Sequence, residues 1–401
     1  MLLSIRIHIE HTQHHFMSAK FSLLSAILML LVTTACSDHD DPTLDKTVRR
    51  TILVYAAAYN SLSSSISLDM KEMENGWIDA GRDADSCRWL VYKTDYKSTQ
   101  PTLWELKKNH GTTEWVELKT YSPDTLSTQP ERLSAVIADA RAIAPARDYG
   151  LILWSHSSGW TPARKTPSKY WFGDDVSQGN DSPFRNMDIP DLAAAIPNDM
   201  FNFIWADCCH MGGVEVAFEL GNKCKFFVAY PTEVLAEGMP YDMVIPHLLK
   251  PRAELEKAAK AFFDYWNGQA GIYRSATVAV VRQQGLNELA AACRELLRGK
   301  EAPDASQIQR FHRAATGLGP YYDLLDLCRV YVGGDTNNAG YRRVKDAMAK
   351  TVTFAATTNI FLEISIDPKR YCGLSSNMYV ADGSAANNFY TTLKWYNAVY
   401  K

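Results

Sequence analysis

The chain has 401 residues, of which 46% are hydrophobic, 11% aromatic and 22% charged, and its formal net charge is −3. That balance is globular, and it carries no basic surplus that would recruit nucleic acid. The eight cysteines are scattered without metal-ligand spacing, which argues against a zinc module or a disulfide scaffold.

The amino terminus reads as a leader. Residues 1–16 are polar and carry histidines, whereas Met17 opens a better pattern: Lys20, an apolar run over 21–32, then Thr33, Thr34 and Ala35 before Cys36. The apolar run is about 12 residues, too short for a ~30 Å hydrocarbon core. Translation is therefore expected to start at Met17, with residues 1–36 the leader and 37–50 an acidic tether. From Thr51 the pattern alternates between strands and helices. Strands are expected at 52–58 and 89–92, a helix at 65–76, a hairpin from 103–106 and 115–118, and a helix at 130–144. Strands at 149–154, 201–206 and 225–229 follow, the second leading into a helix at 214–220. Such alternation predicts an α/β fold, a mostly parallel sheet with helices on both faces, over residues 51–250. Residues 251–401 read as a C-terminal α/β extension that completes or flanks this core. Helices are expected there at 253–266 and 285–297, and strands at 275–281, within 353–366 and at 378–380. The segment 161–186 interrupts the pattern with prolines, glycines and the basic residues Arg164, Lys165 and Lys169. A long loop inside a compact domain is often functional.

Two of these short apolar strands end in reactive residues. Residues 149–154 deliver Ser155, His156, Ser157, Ser158, Gly159 and Trp160, and residues 201–206 deliver Asp207, Cys208, Cys209 and His210. In open parallel sheets chemistry gathers beyond the carboxyl ends of the strands. Adjacent strands lie about 4.8 Å apart, so a histidine and a cysteine at neighbouring ends can share a cleft. A cysteine attacks as its thiolate, which a nearby histidine and a helix amino terminus both favour. The plainer reading is that both are ordinary strand-end residues, a buried thiol and a backbone-bonded imidazole. Successive strand side chains face opposite ways, so only one of Cys208 and Cys209 can face the histidine.

The order, a histidine some fifty residues before the cysteine, is the caspase arrangement. The segments 51–62, 151–160 and 204–220 resemble the clostripain family of cysteine peptidases, whose nucleophile motif reads Asp-Ala-Cys. The resemblance implies a caspase-like fold, His156 as catalytic histidine and Cys209 as nucleophile, with Cys208 standing where relatives carry alanine. The backbone N–H groups of Gly159 and Cys209 are candidate oxyanion donors, a role that needs donors aimed at the developing charge. Asp207 matches an aspartate that lines an acidic S1 pocket in relatives cutting after arginine or lysine, and Glu233 and Glu237 in the next loop are candidates to add charge. No cofactor is required by such chemistry. Calcium dependence among relatives makes Asp174 and Asp175 candidate oxygen ligands, although a solvated acidic loop explains them as well.

The residues before Cys36 resemble a lipobox, and the acidic Ser37 to Asp41 tract resembles the surface-export signal of Bacteroidetes lipoproteins. The sequence thus points to an outer-membrane lipoprotein lipidated at Cys36 that cleaves peptides, its oligomeric state open. Two other readings are a catalytically inactive binding lipoprotein on the same fold, and a surface glycan-binding lipoprotein.

Overall fold

The computed structural model describes residues 48–401 except 99, 110–111, 162–171, 180–181, 183, 314–318 and 320. The leader, Cys36 and most of the tether therefore lie outside the described residues, as do Arg164, Lys165 and Lys169.

Nine strands form one sheet: β1 (Arg50–Ala57), β2 (Cys87–Thr94), β3 (Thr102–Asn109), β4 (Thr112–Thr120), β5 (Asp148–Trp154), β6 (Phe201–Asp207), β7 (Cys224–Ala229), β8 (Thr277–Arg282) and β9 (Val352–Thr357). Their order is β9-β8-β7-β6-β5-β1-β2-β3-β4. The five central strands β2, β1, β5, β6 and β7 run parallel. The hairpin β3–β4 extends one edge antiparallel, and β8 and β9 extend the other. Every residue of β1 is buried, as expected of a parallel strand covered on both faces.

Alternation along the strands sorts the core into two layers. Leu53, Leu151, Leu153, Ile204 and Ala206 face one layer, together with Leu133 of the helix Pro130–Ile143 and Leu289 of Leu286–Leu297. Ile152, Trp154, Phe203 and Trp205 face the other, with Met73 of Ser65–Asp79, Val244 of Tyr241–Leu248 and Phe262 of Leu255–Asn267. Burying one such side chain stabilises by about 1.5–3 kcal/mol relative to leaving it exposed. The expected mostly parallel α/β sheet is thus the observed one, and β8 and β9 from the C-terminal region belong to it.

One expected strand is displaced. Residues 378–380 form no strand; Ser375–Ser376 pairs antiparallel with Tyr322–Asp323 instead. The backbone N–H of Asn377 is taken by the buried Glu215 Oε1 at 2.8 Å, which ends the pairing just before the apolar stretch that suggested a strand.

Candidate active site

β5 and β6 are in parallel register, with Trp154 opposite Asp207. Counting two residues past each strand end brings His156 level with Cys209, on the face shared by Trp154 and Asp207. His156, Asp207 and Cys209 all line one cavity of about 620 Å³, walled by Trp154 and by residues 233–236 and 238. The site thus arises from register and alternation before any side-chain preference enters.

The histidine loop is tied down by the end of β1. Ser155 Oγ donates to the Ala57 carbonyl at 2.6 Å, and Asn60 Nδ2 donates to the Ala57 and Asp174 carbonyls at 2.9 and 2.7 Å. Ser61 Oγ lies 2.8 Å from His156 Nε2. Gly159 takes φ +67°, and a Cβ there would come 2.4 Å from the His210 carbonyl oxygen, so the loop needs glycine for both reasons. The Gly159 N–H donates to Ser157 Oγ at 3.2 Å, and Gly159 is absent from the cavity lining.

The two adjacent thiols part as alternation requires. Cys208 is fully buried in the first core layer, its Sγ donating to the Leu153 carbonyl at 3.6 Å. Cys209 lines the cavity and is the most exposed of the described cysteines, the others being buried. Val234 engages it twice: its N–H donates to Cys209 Sγ at 3.4 Å, and its carbonyl accepts from the thiol at 3.8 Å. Burial pushes the Cys209 thiol up to about 12, with the nearby Glu233 and Asp207 charges adding to the rise. Cys209 therefore rests as a neutral thiol.

Asp207 sits at the base of the cavity. Its Oδ2 accepts from Tyr241 Oη at 3.0 Å and from the Met239 N–H at 3.4 Å, and its Oδ1 accepts from Tyr230 Oη at 3.3 Å. Burial raises it to about 6, against the opposing effect of these donors. Gly238 packs against it at φ +66°, a backbone conformation that side-chain-bearing residues rarely adopt. Glu233 also lines the cavity, but Arg313 holds both of its oxygens, at 2.5 and 2.9 Å. Glu237 is exposed and lies outside the lining. His210 is buried and stacks on Tyr321 with ring centroids 4.6 Å apart, and burial lowers it to about 4.

The acidic pair is fully engaged by protein. Asp174 is held by Arg185, with Nε 2.5 Å and an Nη 3.1 Å from its oxygens. Asp175 accepts from the Ser127 and Ser177 N–H groups at 3.1 and 3.0 Å. Among the described residues no group of three or more His, Cys, Asp or Glu is placed to hold a metal. An aspartate neutralised by arginine and one closing a turn do not fit a calcium cage, which is built from carboxylates open to the ion.

A model of the clostripain family, peptidase C11, matches residues 54–395. The chain belongs to the clostripain family. It is a cysteine peptidase by that membership. An inactive zymogen C11 protease from Parabacteroides distasonis is similar at 29% identity and TM-score 0.74, over 89% of this chain and 100% of that one. A secreted C11 cysteine protease from Bacteroides thetaiotaomicron, solved with an irreversible peptide inhibitor, is similar at 27% identity and TM-score 0.74, over 88% and 98%. Among curated proteins none matches.

Several residues at the clostripain-family site carry no signal of their own in the sequence. Asn60 and Ser61 fall in the polar turn after β1, which was legible as part of the family pattern but not as a partner of His156. Arg313 is 80 positions from the Glu233 it holds. Tyr230 and Tyr241 flank the acidic loop, and only the fold turns both phenols onto Asp207.

Proposed function

We propose that the protein is an endopeptidase in which Cys209 is the nucleophile and His156 its base and acid, acting on peptide bonds that follow a basic residue. The observation that carries this reading is the shared cavity: His156 and Cys209 line it at equivalent register positions, with the Asp207 carboxylate at its base. His156 takes the Cys209 proton as sulfur attacks the carbonyl carbon. Collapse of the tetrahedral adduct breaks the C–N bond, and His156 returns the proton to the leaving amine. Water, deprotonated by His156, then hydrolyses the thioester. Backbone N–H groups of Cys209 and Gly159 are the proposed oxyanion donors; for Gly159 this means exchanging its bond to Ser157 Oγ. Asp207 meets the substrate cation as a charge-assisted partner. No cofactor enters the cycle.

The same reading makes the chain a cell-envelope protein anchored by lipid on Cys36. The leader pattern from Met17 to Ala35 supports it, and among the described residues no helix is long and apolar enough to cross a membrane. Several acyl chains on one cysteine, at about 0.8 kcal/mol per buried methylene, hold firmly. Cys36→Ala should move the protein from the membrane to the soluble fraction; wild type found soluble would remove the anchor from the account.

The peptidase reading is tested by cleavage-site profiling on a peptide library with wild type and Cys209→Ala. Cuts that persist in Cys209→Ala would contradict it, and an absence of any cut by mature wild type would favour a binding protein on this fold.

A further inference from the structure

Asp207 has little accepting capacity left. A carboxylate offers about four lone-pair sites. Tyr241 Oη and the Met239 N–H occupy two on Oδ2, and Tyr230 Oη occupies one on Oδ1. Tyr230 Oη itself accepts from Trp205 Nε1 at 2.9 Å, which leaves its own proton for Asp207. Neither phenol can readily swing away. Both tyrosines are fully buried, and Tyr230 stacks on Phe262 with ring centroids 4.6 Å apart. The cavity has no second carboxylate to offer, because among its described lining residues Asp174 and Glu233 are each held by an arginine.

One open acceptor position on one oxygen suits one kind of cation. A guanidinium binds carboxylate best as a fork, with two parallel N–H groups on two oxygens. An ammonium is a compact point charge with rotatable donors, satisfied by a single acceptor plus water or carbonyls. We propose that Tyr230 and Tyr241 are specificity-determining residues, which by filling Asp207 make the cavity select lysine over arginine on the N-terminal side of the cut bond. This rests on the reading of Asp207 as the group that meets the substrate cation, and narrows it.

The experiment is kcat/KM for three matched fluorogenic peptides ending in lysine, arginine or norleucine, measured on wild type, Tyr241→Phe and Tyr230→Phe. Rates are normalised to active sites titrated with a thiol-reactive peptide. Wild type should prefer lysine over arginine by about tenfold, the scale of one charged hydrogen bond. Tyr241→Phe frees a position on Oδ2 and should bring the ratio towards one by raising arginine more than lysine. Arginine equal to or better than lysine in wild type would overturn the proposal. So would a Tyr241→Phe enzyme whose two rates fall together, since a phenol that only supports the fold would do that. If neither phenylalanine variant folds, the wild-type ratio decides alone. Norleucine cleaved as well as lysine would instead remove Asp207 from substrate recognition, a different failure.

Discussion

At the scale of single residues, adjacent thiols meet opposite environments. Cys208→Ala removes a sulfur from the packed core and should retain most activity, at a stability cost of about 1 kcal/mol. Cys209→Ala should leave the fold intact and abolish turnover. Loss in Cys208→Ala alone, at unchanged thermal stability, would move the nucleophile by one residue. Asp207 gives a pH prediction. Its carboxyl is raised to about 6, so it is largely ionised at pH 7 and largely neutral at pH 5. The kcat/KM for basic substrates should therefore fall as pH drops through about 6, and Asp207→Asn should be slow with no such step. Unfolding through this group is not the cause. The folded chain holds the Asp207 proton more tightly than the unfolded one, so between about pH 4 and 6 acidification favours the fold through it. A step of the same position in Asp207→Asn would assign the titration elsewhere. The sequence made His156, Asp207 and Cys209 legible because each sits at a strand end in a motif. Their partners were not legible, since Ser61 lies 95 positions from His156 and the pairing exists only once β1 and β5 are neighbours.

At the scale of elements, the loop after β7 acts as a strap over the thiol. Val234 engages Cys209 through both its main-chain groups, and the preceding Glu233 is fixed by Arg313. Glu233→Gln removes a nearby negative charge, which favours ionisation of Cys209. Loosening the strap also admits solvent to the thiol, which outweighs the weakened Val234 N–H bond because burial is the larger cause of the raised thiol. Alkylation by iodoacetamide at pH 7 should speed up by about two- to fivefold, the range of a partly exposed ion pair. An unchanged rate would show that the strap is held by other contacts, such as Thr232 Oγ1 with Thr277 Oγ1 at 2.7 Å. Strands and helices of the parallel core followed from period and length, because each is covered on both faces by its own apolar residues. Residues 378–380 misled because their apolar character serves packing of Tyr379 against Tyr390, whose ring centroids are 6.1 Å apart, and not strand pairing.

At the scale of the whole molecule, the site depends on segments from both halves of the chain. β8 and β9 close one side of the sheet. The Ser375 N–H donates to the Gly212 carbonyl at 2.9 Å, just past Cys209, and Glu215 on the following helix accepts from Ser376 Oγ, the Asn377 N–H and Tyr390 Oη. A chain ending at Lys250 should therefore show no cooperative thermal transition; a sharp melt with an intact site would mean that the first half folds alone. The parallel core was legible in the sequence, whereas these returning contacts were not, because buried polar pairs across 160 or more positions leave no local pattern. The central claim is that Cys209, in a cavity with Asp207 at its base, performs covalent peptide chemistry. It is tested most directly by treating the mature protein with a lysine-terminated, thiol-reactive peptide and mapping the adduct by mass spectrometry. The account predicts one adduct, on Cys209, that is lost in Cys209→Ala and outcompeted by free lysine peptides. An adduct on Cys208, or equal labelling by a matched acidic peptide, would contradict it.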